Sequence, residues 1–155
     1  MKKFYNFKTL KKFNTLLYLN KNHSYLGFSY IYLLESRLEV ILYRANFFIS
    51  ILAARQAIIH GKILINGFII NKPNILLNIN DIITLNMSTF DRRNFYYDLK
   101  IKLKKTKRCI LVNYPKYLEV NYKLGSIIFI KLPIISEVPF PFLINLELLK
   151  YSSIK

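Results

Sequence analysis

The side chains that can do chemistry in this chain are cations, and the most specific of them are Arg37, Arg44 and Arg55. Lysine outnumbers arginine by 18 to 6, yet three of the six arginines fall in this one short stretch. A guanidinium is a planar fork that binds phosphate bidentately, and lysine cannot replace it there without loss. Arg37 and Arg44 lie seven residues apart, so a helix projects both from nearly the same side. A second use stays open to all three, as surface cations paired with Glu35 or Glu39. His60 closes a helix-like segment, where it suits the C-terminal dipole. Lys62 and Lys72 flank a hairpin-like segment. Further on, Lys104, Lys105, Lys107 and Arg108 end a basic run. That run is a solvated helix face or a phosphate-facing one; in the second case it adds affinity and salt dependence, not sequence reading.

Catalytic chemistry has little to work with. The sequence contains no phosphate-binding glycine loop and no credible nucleophile–base pair. One cysteine, Cys109, and two histidines, His23 and His60, cannot assemble a zinc site with the usual ligands. Cys109 reads as a small buried apolar residue, and no disulfide can form within the chain. No enzyme, no cofactor, no metal and no small-molecule substrate is expected.

Net charge points to the partner. The 155 residues carry 24 Lys+Arg against 8 Asp+Glu, a net charge of +16. A polyanion is the natural counterpart, RNA or DNA first and an anionic membrane surface as the competitor. Although 53% of residues are hydrophobic and mean hydropathy is +0.23, no run reaches the length of a spanning helix. The best stretch, 127–149, is interrupted by Lys131, Glu137, Pro133, Pro139 and Pro141, so no membrane span is expected. Ile, Leu, Asn, Lys, Phe and Tyr dominate, residues with AT-rich codons. That bias favours an organelle genome, a mitochondrion first and a plastid second.

The elements that must position the arginines follow from periodicity. Leu38, Ile41, Leu42 and Ala45 recur at helical spacing. After a tight break, Ser50 offers an N-cap hydroxyl, and Ile51, Ala54 and Ile58 continue a second helix. Gly61 stands where a left-handed C-cap belongs. Residues 63–65 and 68–70 flank Asn66-Gly67, a pair suited to a two-residue type I′ turn. A last short run, 82–85, follows Asp81. The expected fold class is α/β: two helices packed on a short β-sheet with a hairpin. The expected organisation is a basic N-terminal arm over 1–34, this domain over 35–86, a basic linker or helix over 87–109, and a strand-like extension over 110–155. Residues 1–34 contain no acid and six lysines, Lys2, Lys3, Lys8, Lys11, Lys12 and Lys21. They read as an arm along RNA, with a cleavable targeting sequence as the alternative.

The series Leu34-Glu35, Arg37-Leu38-Glu39, Tyr43-Arg44, Phe47, Ser50, Ala54-Arg55-Gln56, His60, Asn66-Gly67, Asn71, Pro73 and Asp81 resembles the S4-type RNA-binding domain. In particular it resembles that of the small-subunit ribosomal protein S-four family. The tail resembles the same family at Pro115, Tyr117-Leu118, Phe129, Pro133, Ser136-Glu137 and Tyr151-Ser152, with Tyr117 in place of a usual tryptophan. The resemblance implies a structural constituent of the small ribosomal subunit that binds the 5′ domain of small-subunit rRNA. It also implies a neighbour of the S-five type and a link to assembly and decoding accuracy. On this reading Arg37, Arg44, Arg55, Gln56, His60, Lys62 and Lys72 meet RNA, with the basic run beside them. Ile51 and Phe68 stand where the family often has cations, Phe48 where it has glycine, and Ala53 where an acid would complete a capping box with Ser50. An RNA face with fewer contacts, and some extra apolar surface turned to protein, is expected. A free ribosome-associated RNA-binding factor with the same domain is the alternative function.

Overall fold

A computed structural model describes residues 5, 26–87, 91, 95, 97, 101 and 114–140. Three helices open the described fold: α1 (Leu26–Glu35), α2 (Leu38–Arg44) and α3 (Ile51–Ile59). Five strands follow, β1 (Ile63–Ile65), β2 (Phe68–Ile69), β3 (Ile82–Leu85), β4 (Leu118–Asn121) and β5 (Ser126–Phe129), and then a 3-10 turn, Ile135–Glu137. The architecture is α/β, with the helices on one side of an antiparallel sheet of order β2-β1-β3-β5-β4.

Local chemistry explains each boundary. α2 receives no side-chain cap at Arg37. Its first amides are met by a loop instead: Leu38 N–H donates to the Ile75 carbonyl at 3.0 Å and Glu39 N–H to the Pro73 carbonyl at 3.3 Å. α2 ends where Asn46 turns left-handed (φ 58°), and the Phe47 amide reaches back to the Leu42 carbonyl at 3.1 Å. Ser50 caps α3, its hydroxyl accepting from Ala53 N–H at 3.1 Å. Gly61 (φ 67°) closes α3: the amides of Gly61 and Lys62 donate to the carbonyls of Ile58 and Ala57. Those two bonds are the Schellman arrangement. Asn66 and Gly67 both have positive φ, as a type I′ turn requires, and Ile65 pairs with Phe68 across it.

Two features differ from the expected organisation. α1 runs through position 34, and Ile31 and Leu34 are buried in the core. β5 pairs with β3 in the register Ile83↔Ile127, which joins the expected extension to the same sheet. One core therefore contains Leu38, Ile41 and Leu42 from α2, Ala54 and Ile58 from α3, and Ile63, Ile83, Leu85, Leu118, Ile127 and Phe129 from the strands. Alternation along β3 and β5 supplies the sheet's share, with Ile83, Leu85, Ile127 and Phe129 turned inward. No helix among the described residues is long and apolar enough to cross a membrane.

Candidate nucleic-acid interface

Two buried carboxylates decide where the arginines go. Glu35, at the end of α1, is fully buried and accepts from Arg44 Nε at 2.9 Å, Arg44 Nη2 at 2.7 Å and the Tyr117 hydroxyl at 2.8 Å. The Tyr5 hydroxyl donates to the same carboxylate. Arg44 also donates through Nη1 to the Pro139 carbonyl at 2.7 Å, and its guanidinium lies 5.5 Å from the centre of the Phe140 ring. Burial opposes the Arg44 cation, but the hydrogen bonds and charge of Glu35 outweigh it and hold its pKa up. Burial first, and the Glu35 charge second, push both Tyr5 and Tyr117 up, so both stay protonated as donors.

The second carboxylate, Glu39, is also fully buried. It accepts from Arg37 Nη2, and from Arg55 Nε at 2.7 Å and Nη2 at 3.3 Å. Asn74 Oδ1 completes the group, accepting from Arg37 Nη2 at 2.8 Å and Arg55 Nη2 at 2.9 Å. Burial lowers the Arg37 pKa, against the pull of Glu39.

Arg37 and Arg44, expected at phosphate, are therefore interior residues. Their side chains are 4% and 5% exposed, and their forks face carboxylates of this chain. The pairing with Glu35 and Glu39 holds, but inside the fold and not on its surface. The physical reason is position: Arg37 sits at the joint between α1 and α2, and Arg44 ends α2 against Pro139 and Phe140. Arg55 differs, with 20% of its side chain exposed. Gln56, His60, Lys62 and Lys72 are all exposed. Arg55, Gln56 and His60 belong to α3 and its C-cap. Lys62 follows Gly61 into β1, and Lys72 precedes the loop whose Asn74 bonds Arg55. α3, its C-cap and the chain segments that enter and leave the hairpin carry these five. Lys104, Lys105, Lys107 and Arg108 lie outside the described residues.

The hairpin itself is braced. Asn66 Nδ2 donates to Asp81 Oδ1 at 2.8 Å, Ile82 N–H donates to Asn66 Oδ1 at 2.9 Å, and Asn78 N–H donates to Asp81 Oδ2 at 2.8 Å. Phe68 stands 74% exposed beside the turn, as extra apolar surface was expected to do. Ile51 does not: it is buried at the start of α3 and offers no surface to a partner. Among the described residues no group of three or more His, Cys, Asp or Glu side chains is placed to hold a metal ion.

Sequence reasoning named Glu35 and Glu39 only as surface partners of the arginines, and missed both their burial and the acceptor Asn74. A signal existed: acids are scarce, 8 in the chain, and two of them fall inside an apolar periodic stretch beside the arginines.

The S4 domain family matches residues 36–83. That span contains α2, α3, the braced hairpin and the Glu39 group. The mitochondrial small ribosomal subunit protein uS4m of Reclinomonas americana is 34% identical over 150 residues, 95% of this chain and 59% of that one. The uS4m of Marchantia polymorpha is 30% identical over 148 residues, covering 92% of this chain and 67% of its own. This chain belongs to the uS4 family. The bacterial uS4 of Caulobacter vibrioides is 34% identical over 111 residues, 72% of this chain and half of its own length. The chain thus spans between half and two thirds of these relatives. It is a mitochondrial member, as the uS4m relatives indicate. Similarity over nearly the whole chain to the first two relatives reaches β4 and β5, which lie beyond the matched S4 span and join the sheet through β3.

Proposed function

We propose that this uS4 chain is a structural constituent of the mitochondrial small ribosomal subunit and binds small-subunit rRNA. The observation that carries the reading is the exposure of Gln56, His60, Lys62 and Lys72 beside a part-exposed Arg55, read here as one edge, on an S4-type fold in a chain of net charge +16. The edge meets backbone phosphates; its lysines contribute affinity without sequence preference. Arg37 and Arg44 are left out of it, because desolvated guanidiniums already bound to carboxylates cannot turn to phosphate without breaking buried ion pairs. Lys104, Lys105, Lys107 and Arg108 extend the basic surface in this reading. The rRNA target is the 5′ domain, and a neighbour of the S-five type lies beside the protein, an arrangement that supports subunit assembly and decoding accuracy. The role is non-enzymatic.

Sedimentation of a mitochondrial lysate through sucrose in rising salt tests this, with the protein followed by mass spectrometry. Co-migration with the small subunit that survives moderate salt is the expected result. Stripping at low salt, or migration with free RNA, would replace the integral role with that of a free RNA-binding factor.

A further inference from the structure

We propose that Glu39 and Asn74 are positioning residues that hold the Arg55 guanidinium edge-on, so that its Nη1 meets an RNA phosphate oxygen. The inference rests on the RNA reading above and adds how one contact of that interface is built. Glu39 takes the Nε–Nη2 side of Arg55, and Asn74 takes the remaining Nη2 hydrogen. Nη1 is engaged by none of these bonds. A guanidinium held on one side by a carboxylate keeps the opposite edge for an outside acceptor.

Charge points the same way. Two guanidiniums, Arg37 and Arg55, face the one carboxylate of Glu39, so the group carries one surplus positive charge. Arg37 is 4% exposed and Arg55 20%, so of the two cations on Glu39 it is Arg55 that reaches the surface. Arg37, fixed behind it on the same carboxylate and on the same Asn74 oxygen, keeps Glu39 from neutralising Arg55 completely. Asn74 lies two residues from the exposed Lys72, and the exposed Gln56 follows Arg55 on α3. Without the clamp, Arg55 would be a long side chain that loses rotamer freedom on every binding event. With it, that loss is already met in folding.

The test is a double-mutant cycle read by fluorescence anisotropy against a small-subunit rRNA 5′-domain transcript, at several KCl concentrations, using the full chain. Arg55→Ala should weaken binding about tenfold and reduce the salt slope by about one contact. Asn74→Ala should weaken binding roughly threefold and, since it also takes an acceptor from the buried Arg37, lower melting slightly in both backgrounds, but have no further effect on binding once Arg55 is alanine. Arg55→Lys should restore the salt slope and lose the dependence on Asn74, because an ammonium has no second edge to be held. Equal losses of affinity from Asn74→Ala in both backgrounds, or no loss in either, would overturn the positioning role while leaving RNA binding in place. Failure of the unaltered protein to bind the transcript in a salt-dependent way would overturn the RNA reading itself, and the clamp with it.

Discussion

Replacing Glu35 with glutamine keeps the shape of the side chain and removes its charge. Glu35 is fully buried, and Arg44 beside it is 5% exposed, so the substitution leaves a cation inside the fold with no countercharge on its Nε–Nη2 side. Breaking a buried pair in this way costs about 3–5 kcal/mol. The glutamine amide worsens the fit: its nitrogen is a donor, while Arg44, Tyr117 and Tyr5 all point donors at that position. Domain stability is about 5–15 kcal/mol, so the loss is a third or more of the total in most of that range. Urea unfolding followed by far-UV circular dichroism measures it as a lower midpoint at unchanged slope. A second variant isolates the cause. Glu35→Leu with Arg44→Met, made together with Tyr5→Phe and Tyr117→Phe so that the hydroxyls that Glu35 accepted go with it, should recover most of the loss, since an apolar replacement of a whole buried group is often neutral. If Glu35→Gln unfolds within about 1 kcal/mol of the unaltered protein, the carboxylate does not hold this junction, and the argument from burial is wrong.

Three other outcomes follow from the same geometry. Tyr117→Phe should flatten the alkaline limb of stability: a tyrosine raised above its ordinary 10.0 in the fold stabilises fully below that pH and loses its contribution as pH rises toward the folded value. Each such tyrosine contributes a slope of about 1.4 kcal/mol per pH unit above pH 10, so urea midpoints between pH 9 and 11 should fall less steeply in the variant. Gly61→Ala should cost about 1 kcal/mol in thermal unfolding, because φ is 67° there while the added Cβ would meet Ile69 and Asn71 only at ordinary distances of 3.5 and 3.6 Å; a larger loss would mean that the space, not the backbone, decides. Lys62→Ala and Lys72→Ala should each lower the salt slope of rRNA binding by about one contact without changing stability, and an unchanged slope would remove that lysine from the interface.

Local chemistry was legible in the sequence wherever a single residue type answers a single backbone need. Ser50, Gly61 and Asn66-Gly67 were expected as cap, stop and turn, and the structure has them so, because each meets its requirement within a few residues of chain. The apolar period of α2 and the short apolar run of β3 likewise belong to the sequence, as does the charge that favours a polyanion, whereas the in-and-out alternation of β3 and β5 is seen only in their burial. The family series was legible too, since its order and spacing are one-dimensional.

Partner choice among the arginines was a different matter. Arg37 and Arg44 differ from Arg55 not in type but in what surrounds them, and that depends on residues 37 to 95 positions away: Asn74 beside Arg37, Pro139 against Arg44. Tyr117 joins Glu35 across 82 residues, and β5 joins β3, for the same reason. A helix period says that a face is buried; it does not say whether an arginine on the helix will find a carboxylate inside. Desolvation makes that distinction, because an arginine removed from water must be paired while one at the edge can keep a donor for phosphate. The sequence by itself determined the caps, the turn, the strands and the cationic character of this uS4 chain. Only the tertiary structure decided which cations are fastened into the core and which are left at the surface, because burial is a property of the assembled fold.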